Sequence, residues 1–169
     1  MYSVKLVFWR KDVLEQIEQW IDATNIKYKT QRISCEKFAS EFAGFYPVEF
    51  LKNAFYVVVD KIPKPDFAGL REMGLGDFVD MDAAGITYKN TYYLLPEVAK
   101  DLRVHFHELV HVAQWLKLGP DAFMMRYISE IQHLGYNDAP LEKMAYALDT
   151  QFASKGNKID VPKYVAQTL

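Results

Sequence analysis

His107-Glu108-Leu109-Val110-His111 is the stretch on which the reading of this chain turns. Histidines four apart on a helix lie one turn above each other on one face, so their imidazoles can converge on a single metal ion. The glutamate after the first histidine is rotated about 100° around the helix. It stands beside such a metal, where it can take a proton from water.

The helix that carries this pattern is expected over about residues 97–118, between Pro96 and the stop Gly119-Pro120. Leu102, Phe106, Leu109, Ala113 and Leu116 recur as an apolar stripe facing the core, while His107, His111 and Gln114 share another face. That second face is not a charged solvent face, which suits a helix lining a cleft. His105 lies about 200° around from His107 and reads as structural.

Upstream, Gly85 to Leu95 reads as β structure with a tight bend at Lys89-Asn90. Tyr88, Tyr92 and Tyr93 are candidates for lining a substrate cleft, but alternate strand residues face opposite ways, so one of Tyr92 and Tyr93 must be structural. Pro63, Pro65, Gly69, Gly74 and Gly76 punctuate a long connection over residues 60–85, with a helical turn or two near residues 66–73. Its Asp77, Asp80 and Asp82 fit no calcium loop and read as solvated or turn-capping aspartates.

In the first third, residues 3–9 read as a strand, and Asp12 as the cap of a helix to Thr24 that buries Val13, Ile17, Trp20 and Ile21. Residues 26–33 are a second strand candidate. Ser34 is placed to cap a helix carrying Phe38, Ala39 and Phe42 and ending at Gly44, a short helix comes next at 47–53, and residues 55–59 are a buried strand. Downstream, Pro120 opens a helix to Leu134, and Pro140 opens one that carries Leu141, Met144, Ala145, Leu148 and Phe152 inward and stops at Gly156.

The chain has 169 residues, 50% hydrophobic and 25% charged, which is the composition of one globular domain with a sizeable core. A net charge of -2 without a basic run argues against nucleic acid as a partner. No apolar run is long enough to span a bilayer and the opening residues do not form a secretory signal, so a cytoplasmic protein is expected, with no membrane partner. Cys35 is the single cysteine, which leaves only His and carboxylate as metal ligands; it reads as a small buried apolar residue.

Two histidines leave a catalytic metal short of a third protein ligand. Asp121, Glu130, His133, Asp138, Glu142 and Asp149 are the downstream candidates. Glu142 is the best placed of them, in the first turn of a helix that the turn Tyr136-Asn137-Asp138-Ala139-Pro140 can swing back across the metal helix.

Glu142-Lys143-Met144-Ala145 resembles the E-x-x-A glutamate-helix motif of the gluzincin metallopeptidases. The spacing Tyr136-x-x-x-Pro140-x-Glu142-x-x-Ala145 is similar to the segment downstream of HELxHxxQ in several small bacterial members of that clan. Gly85 to Leu94 resembles the edge strand along a zincin cleft, so the likeness covers roughly residues 85–153. It implies an α+β, zincin-like fold in one domain over 1–169: an upper α/β part over 1–84 with the loop 60–85, and edge strand, active-site helix and glutamate helix over 85–156. It further implies a Zn²⁺ site of His107, His111 and Glu142, with Glu108 as general base. A peptide or protein substrate would pair antiparallel with the edge strand near Tyr92 to Leu95.

The hydrolysis of a peptide bond also needs a donor to the oxyanion. Tyr136 is the candidate, with His133 and Tyr127 as rivals. Several gluzincins carry an acidic residue one turn after the glutamate, where this chain has Tyr146; Asp149, two turns on, can orient a ligand histidine in its place. The alternative expectation is a catalytically weak or inactive metallopeptidase-like zinc protein with a regulatory role. A two-histidine, one-carboxylate iron oxygenase is a third reading.

Overall fold

The computed structural model describes the backbone of residues 2–169 and the side chains of residues 11–169. Among the described residues it is an α+β fold with a small mixed sheet of four strands and eight α-helices. The strands are β1 (Ile33–Ser34), β2 (Phe55–Val58), β3 (Gly85–Tyr88) and β4 (Thr91–Leu94), in spatial order β1-β2-β4-β3. β2 and β4 run parallel and the two outer pairs antiparallel. The β3–β4 hairpin turns at Lys89, in the left-handed region at φ 59°, and at Asn90.

The eight helices are α1 (Tyr2–Lys27), α2 (Val48–Lys52), α3 (Ala68–Glu72), α4 (Gly76–Asp80), α5 (Leu102–Leu118), α6 (Pro120–Leu134), α7 (Pro140–Ala153) and α8 (Val161–Thr168). Prolines stand at the start of α6 and α7 as expected, because a first-turn N–H has no helical acceptor to lose. Among the described residues no helix is long and apolar enough to cross a membrane.

Two cores flank the sheet. One gathers Tyr56, Tyr92 and Leu94 with Phe38, Phe42, Phe106, Leu109, Val110 and the buried faces of α7 and α8. The other gathers Val57, Tyr93 and Tyr88 with Ile17 and Ile21 of α1 and Trp115, Phe123 and Leu141. Residues from before and after position 84 build both cores.

Several expectations are corrected. Residues 3–9 are helical, not a strand: α1 has no Pro or Gly along its length, so the helix runs back through the β-branched and aromatic residues, and Asp12 is interior and not a cap. Of residues 26–33 only Ile33 enters the sheet, since Tyr28 to Gln31 form turns. Ser34 does cap a helix, its hydroxyl accepting from the Glu36 N–H at 3.2 Å, but that helix is a 3₁₀ turn over Cys35–Phe38.

α5, expected from about residue 97, starts at its cap Asp101, whose side chain accepts from the Arg103 N–H at 2.9 Å. Leu116, expected in its apolar stripe, is 74% exposed, and the adjacent Trp115 is buried in its place. α5 is the central helix, buried on every side from His105 to Trp115. α8, which no expectation covered, is capped by Asp160 accepting from the Lys163 N–H.

Tyr92 and Tyr93 are both fully buried, so neither lines a cleft. They sit on β4, an interior strand between β2 and β3, and the expected pairing of a substrate near Tyr92 to Leu95 is therefore closed. The edge strands are β1 and β3, and of the two β3 is the one beside α5. His105 is structural as expected: Tyr92 Oη lies 2.7 Å from its Nδ1 and the Ala99 carbonyl 2.9 Å from its Nε2. The Cys35 thiol joins this network against Tyr92 Oη, and burial pushes it up to about 12, which leaves it an inert, protonated core group.

Candidate metal centre

α5 presents His107 and His111 on one face, and α7 crosses it so that Glu142, in the first turn of α7, meets both. The two Nε2 atoms are 3.1 Å apart, and each lies 3.3 Å from Glu142 Oε2. All three side chains are buried. Of the other candidates for third ligand, only Asp149 comes near the histidines, and it does so from behind.

The outer atoms of the histidines fix what the inner ones offer. His107 Nδ1 lies 2.9 Å from Asp149 Oδ2, and a carboxylate accepts, so Nδ1 carries the proton and Nε2 turns a lone pair inward. His111 Nδ1 lies 2.8 Å from Gln114 Oε1, whose amide nitrogen donates to the Leu141 carbonyl at 2.9 Å; the same logic gives His111 Nε2 an inward lone pair. Glu142 Oε2 is buried with no hydrogen-bond partner.

With both imidazoles neutral, three acceptors therefore face one another at about 3 Å across a buried centre. A cation between them satisfies all three, and two imidazoles with one carboxylate are a donor set that divalent transition metals take. The residues present fit a metal ion. The local field favours positive charge at this centre: burial works against the charged form of His107, yet the Asp149, Glu142 and Glu108 carboxylates outweigh it and hold its pKa up to about 10, so without a metal a proton stands between His107 and Glu142. Burial likewise opposes ionisation of Glu142, and the two histidines overcome it, holding its carboxyl well below the usual range.

Glu108 faces the sheet. The Thr87 hydroxyl donates to its Oε2 at 2.6 Å, while Oε1 has no hydrogen-bond partner among the described residues. Gly85 starts β3 directly against that carboxylate: a Cβ there would lie 2.7 Å from Glu108 Oε1 and 2.8 Å from Leu94 Cδ2, so glycine is required by the close approach. Positions 85 and 87 of β3 thus share the face toward α5.

The register of β3 defines its free edge. Ala84 O accepts from the Leu95 N–H, which makes residues 84, 86 and 88 the ones bonded to β4 and points the backbone groups of Gly85 and Thr87 outward. The Thr87 carbonyl accepts from the Trp115 indole at 3.2 Å. Gly85 N–H, Gly85 C=O and Thr87 N–H remain as an edge beside the metal centre.

Cavities open on both sides. An apolar one of about 110 Å³ lies between α1, α6 and the segment 63–83, with His111 and Glu142 in its wall, and Tyr88 is the one expected cleft tyrosine that lines it. A wider one of about 360 Å³ is lined by His107, Arg103, Tyr146 and Asp149. Glu108, Gly85, Met81 and Tyr136 border both.

Gly135, at φ +77°, ends α6 and turns the chain so that Tyr136 reaches this position. Burial and the nearby Glu142 charge hold the Tyr136 phenol protonated, and its hydroxyl lies 3.4 Å from that of Tyr146, whose ring packs on His107. The rivals are placed elsewhere: His133 is exposed and bonded to the Ser129 carbonyl of its own helix, and Tyr127 donates to Glu142 Oε1 at 2.9 Å.

Thr87, and Glu130 as a partner of the Leu141 N–H at 2.8 Å, had no role in the sequence reading. Thr87 stands two residues after Gly85 on one strand face, which is the pattern that marks it. Glu130 had no comparable signal, because its partner is a backbone group of another helix. Compared with known proteins, the chain matches no family model, no curated protein and no solved structure.

Proposed function

We propose that this chain is a zinc-dependent metallopeptidase of gluzincin type, with His107, His111 and Glu142 as ligands and Glu108 as general base. The observation that carries the reading is the meeting of three inward acceptors, one of them an orphaned carboxylate oxygen, one helical position from a carboxylate with a free oxygen. Zinc bound there supplies Lewis acidity, lowering the pKa of water toward 7 and polarising a carbonyl.

The chain's own residues do the rest. An extended peptide adds to the free edge of β3 through Gly85 and Thr87, which lays its carbonyl between Glu108 and Tyr136. Glu108 Oε1 takes a proton from the attacking water and passes it to the leaving amine, with Oε2 steadied by Thr87. Tyr136 donates to the developing oxyanion. The apolar cavity takes one side chain; at about 110 Å³ it is smaller than the ~150 Å³ cavities that admit benzene, so an aliphatic residue fits better than an aromatic one.

A second reading, a zinc protein without catalysis, draws on the 2.6 Å bond that commits Glu108 Oε2 to Thr87. Glu108→Gln separates the two. Metal analysis is expected to find one zinc per chain in both proteins, and the variant to lose at least roughly 10³-fold in cleavage of peptides that wild type cuts. A wild type that cleaves nothing in a broad peptide library, with the variant indistinguishable from it, overturns the enzyme reading. Iron in place of zinc would return the site to the oxygenase reading.

A further inference from the structure

Glu142 differs from the histidines in offering two chemically alike atoms, and the structure treats them differently. Oε1 accepts a hydrogen bond from the Tyr127 hydroxyl at 2.9 Å, while Oε2 stands without a hydrogen-bond partner, 3.3 Å from each histidine Nε2. A carboxylate can bind a metal through one oxygen or both, and the hydrogen bond from a phenol biases that choice.

The hydroxyl itself is held in place. The Tyr127 ring stacks on Phe123 with centroids 5.7 Å apart and meets Phe78 edge-on at 6.3 Å. The backbone that carries Glu142 is fixed as well, because both polar groups of the preceding residue are captured by side chains. The Leu141 N–H donates to Glu130 Oε2 at 2.8 Å, and its carbonyl accepts from Gln114 Nε2 at 2.9 Å. Glu130 is anchored in turn by Arg126 Nε at 2.8 Å. α6 thus grips α7 at residue 141 and at the Glu142 carboxylate, one helical turn apart on its own surface.

Resting on the metal-site reading above, we propose that Tyr127 is a positioning residue that reserves Oε1 of Glu142 and so presents Oε2 as the single carboxylate ligand. The consequence is chemical. Three protein donor atoms leave a tetrahedral ion one position for water, and a second oxygen from Glu142 would compete for it.

The test uses the full chain, with Co²⁺ and Zn²⁺ as probes. Tyr127→Phe keeps the ring and its stacking and removes only the hydroxyl. Its Co²⁺ visible absorption is expected to weaken relative to wild type, as an added oxygen raises the coordination number, and its zinc affinity to fall about 10–100-fold in chelator competition. The metal-free melting temperature is expected to fall by no more than the few degrees that the loss of one part-buried hydrogen bond accounts for. Glu130→Gln, which loosens the grip on Leu141 alone, is expected to lower zinc affinity less and to keep the wild-type Co²⁺ spectrum. An unchanged spectrum and affinity in Tyr127→Phe, with wild type binding one metal, overturns the proposal and leaves the metal site standing. A larger fall in the metal-free melting temperature without a spectral change assigns Tyr127 to packing and overturns it too. A wild type that binds neither ion overturns both.

Discussion

The two walls of the site are built on different physics. On one side, α5, α6 and α7 hold the donor atoms through buried polar bonds: Asp149 to His107, Gln114 to His111 and to the Leu141 carbonyl, Glu130 to the Leu141 N–H. On the other, the segment 63–83 roofs the apolar cavity with two five-residue helices. Its internal ties are more open to solvent: Arg71 pairs with Asp66 and Asp80 at the surface, and the part-buried Lys64 donates to the carbonyls of Phe78 and Met81. Buried bonds with no water to replace them are costly to break, while exposed pairs contribute little. On the proposed reading, holding the ion and admitting a substrate fall to walls of unequal rigidity, and substitutions should separate the two.

The largest effect is expected at the seam, where the roof enters β3 below Glu108. Gly85→Ala puts a methyl group into the space of Glu108 Oε1 and Leu94 Cδ2, and Leu94 is fully buried and cannot retreat. Glu108 must move by a substantial part of an ångström, and misplacement of about that size costs roughly 10²-fold in rate. The expectation is a fall of that order in kcat with one zinc per chain retained. Loss of zinc in this variant would break the comparison, since the seam would then govern binding as well.

A smaller effect, confined to the rigid wall, is expected from Asp149→Asn. The amide is isosteric, keeps a contact with Arg103 and turns a donor or a weaker acceptor toward His107 Nδ1, so the inward lone pair of Nε2 is no longer enforced. Zinc affinity should fall about 10–100-fold in chelator competition. Unchanged affinity would mean that the helices alone, without the buried carboxylate, set the histidine orientation.

The same contrast explains how much of the molecule is legible in its sequence. His107 and His111 are related by one helical turn, and Pro120 and Pro140 announce their helices locally, so α5 to α7 and the meeting of Glu142 with the histidines can be read from the chain alone. The errors lie where the answer depends on a distant partner. Residues 3–9 have strand-like composition but no place in the sheet, and the backbone of α1 runs through them. Tyr92 and Tyr93 look like cleft residues until the parallel pairing of β2 with β4 encloses them. Leu116 and Trp115 differ by one helical step, and what buried the tryptophan was stacking on Phe123 of the next helix at 4.1 Å. None of these partners is visible in a window of local sequence.

The smallest effect on the molecule as a whole, and the most local, is expected in the roof. Arg71 joins the short helices α3 and α4 to each other and to Asp66 by paired contacts of 2.8 to 3.2 Å. Arg71→Ala should leave the melting temperature and the zinc affinity at their wild-type values, because every bond it removes is exposed and none reaches the donor atoms. What it should change is the rate at which the segment opens, seen as faster amide exchange and limited proteolysis within residues 66–81. The pH dependence carries a definite sign. The hydrogen bonds and charge of Arg71 hold the Asp80 carboxyl below its ordinary value, so the tie is fully present above the unperturbed carboxylate pKa of about 3.9 and is lost as pH falls through the lowered folded value. Wild type should therefore converge on Arg71→Ala in local exchange, after correction for the intrinsic rate, only under strongly acid conditions. Convergence already near neutral pH would show that the ion pairs do not hold the roof, and that its packing on Phe123 and Met124 sets the rigidity of both walls.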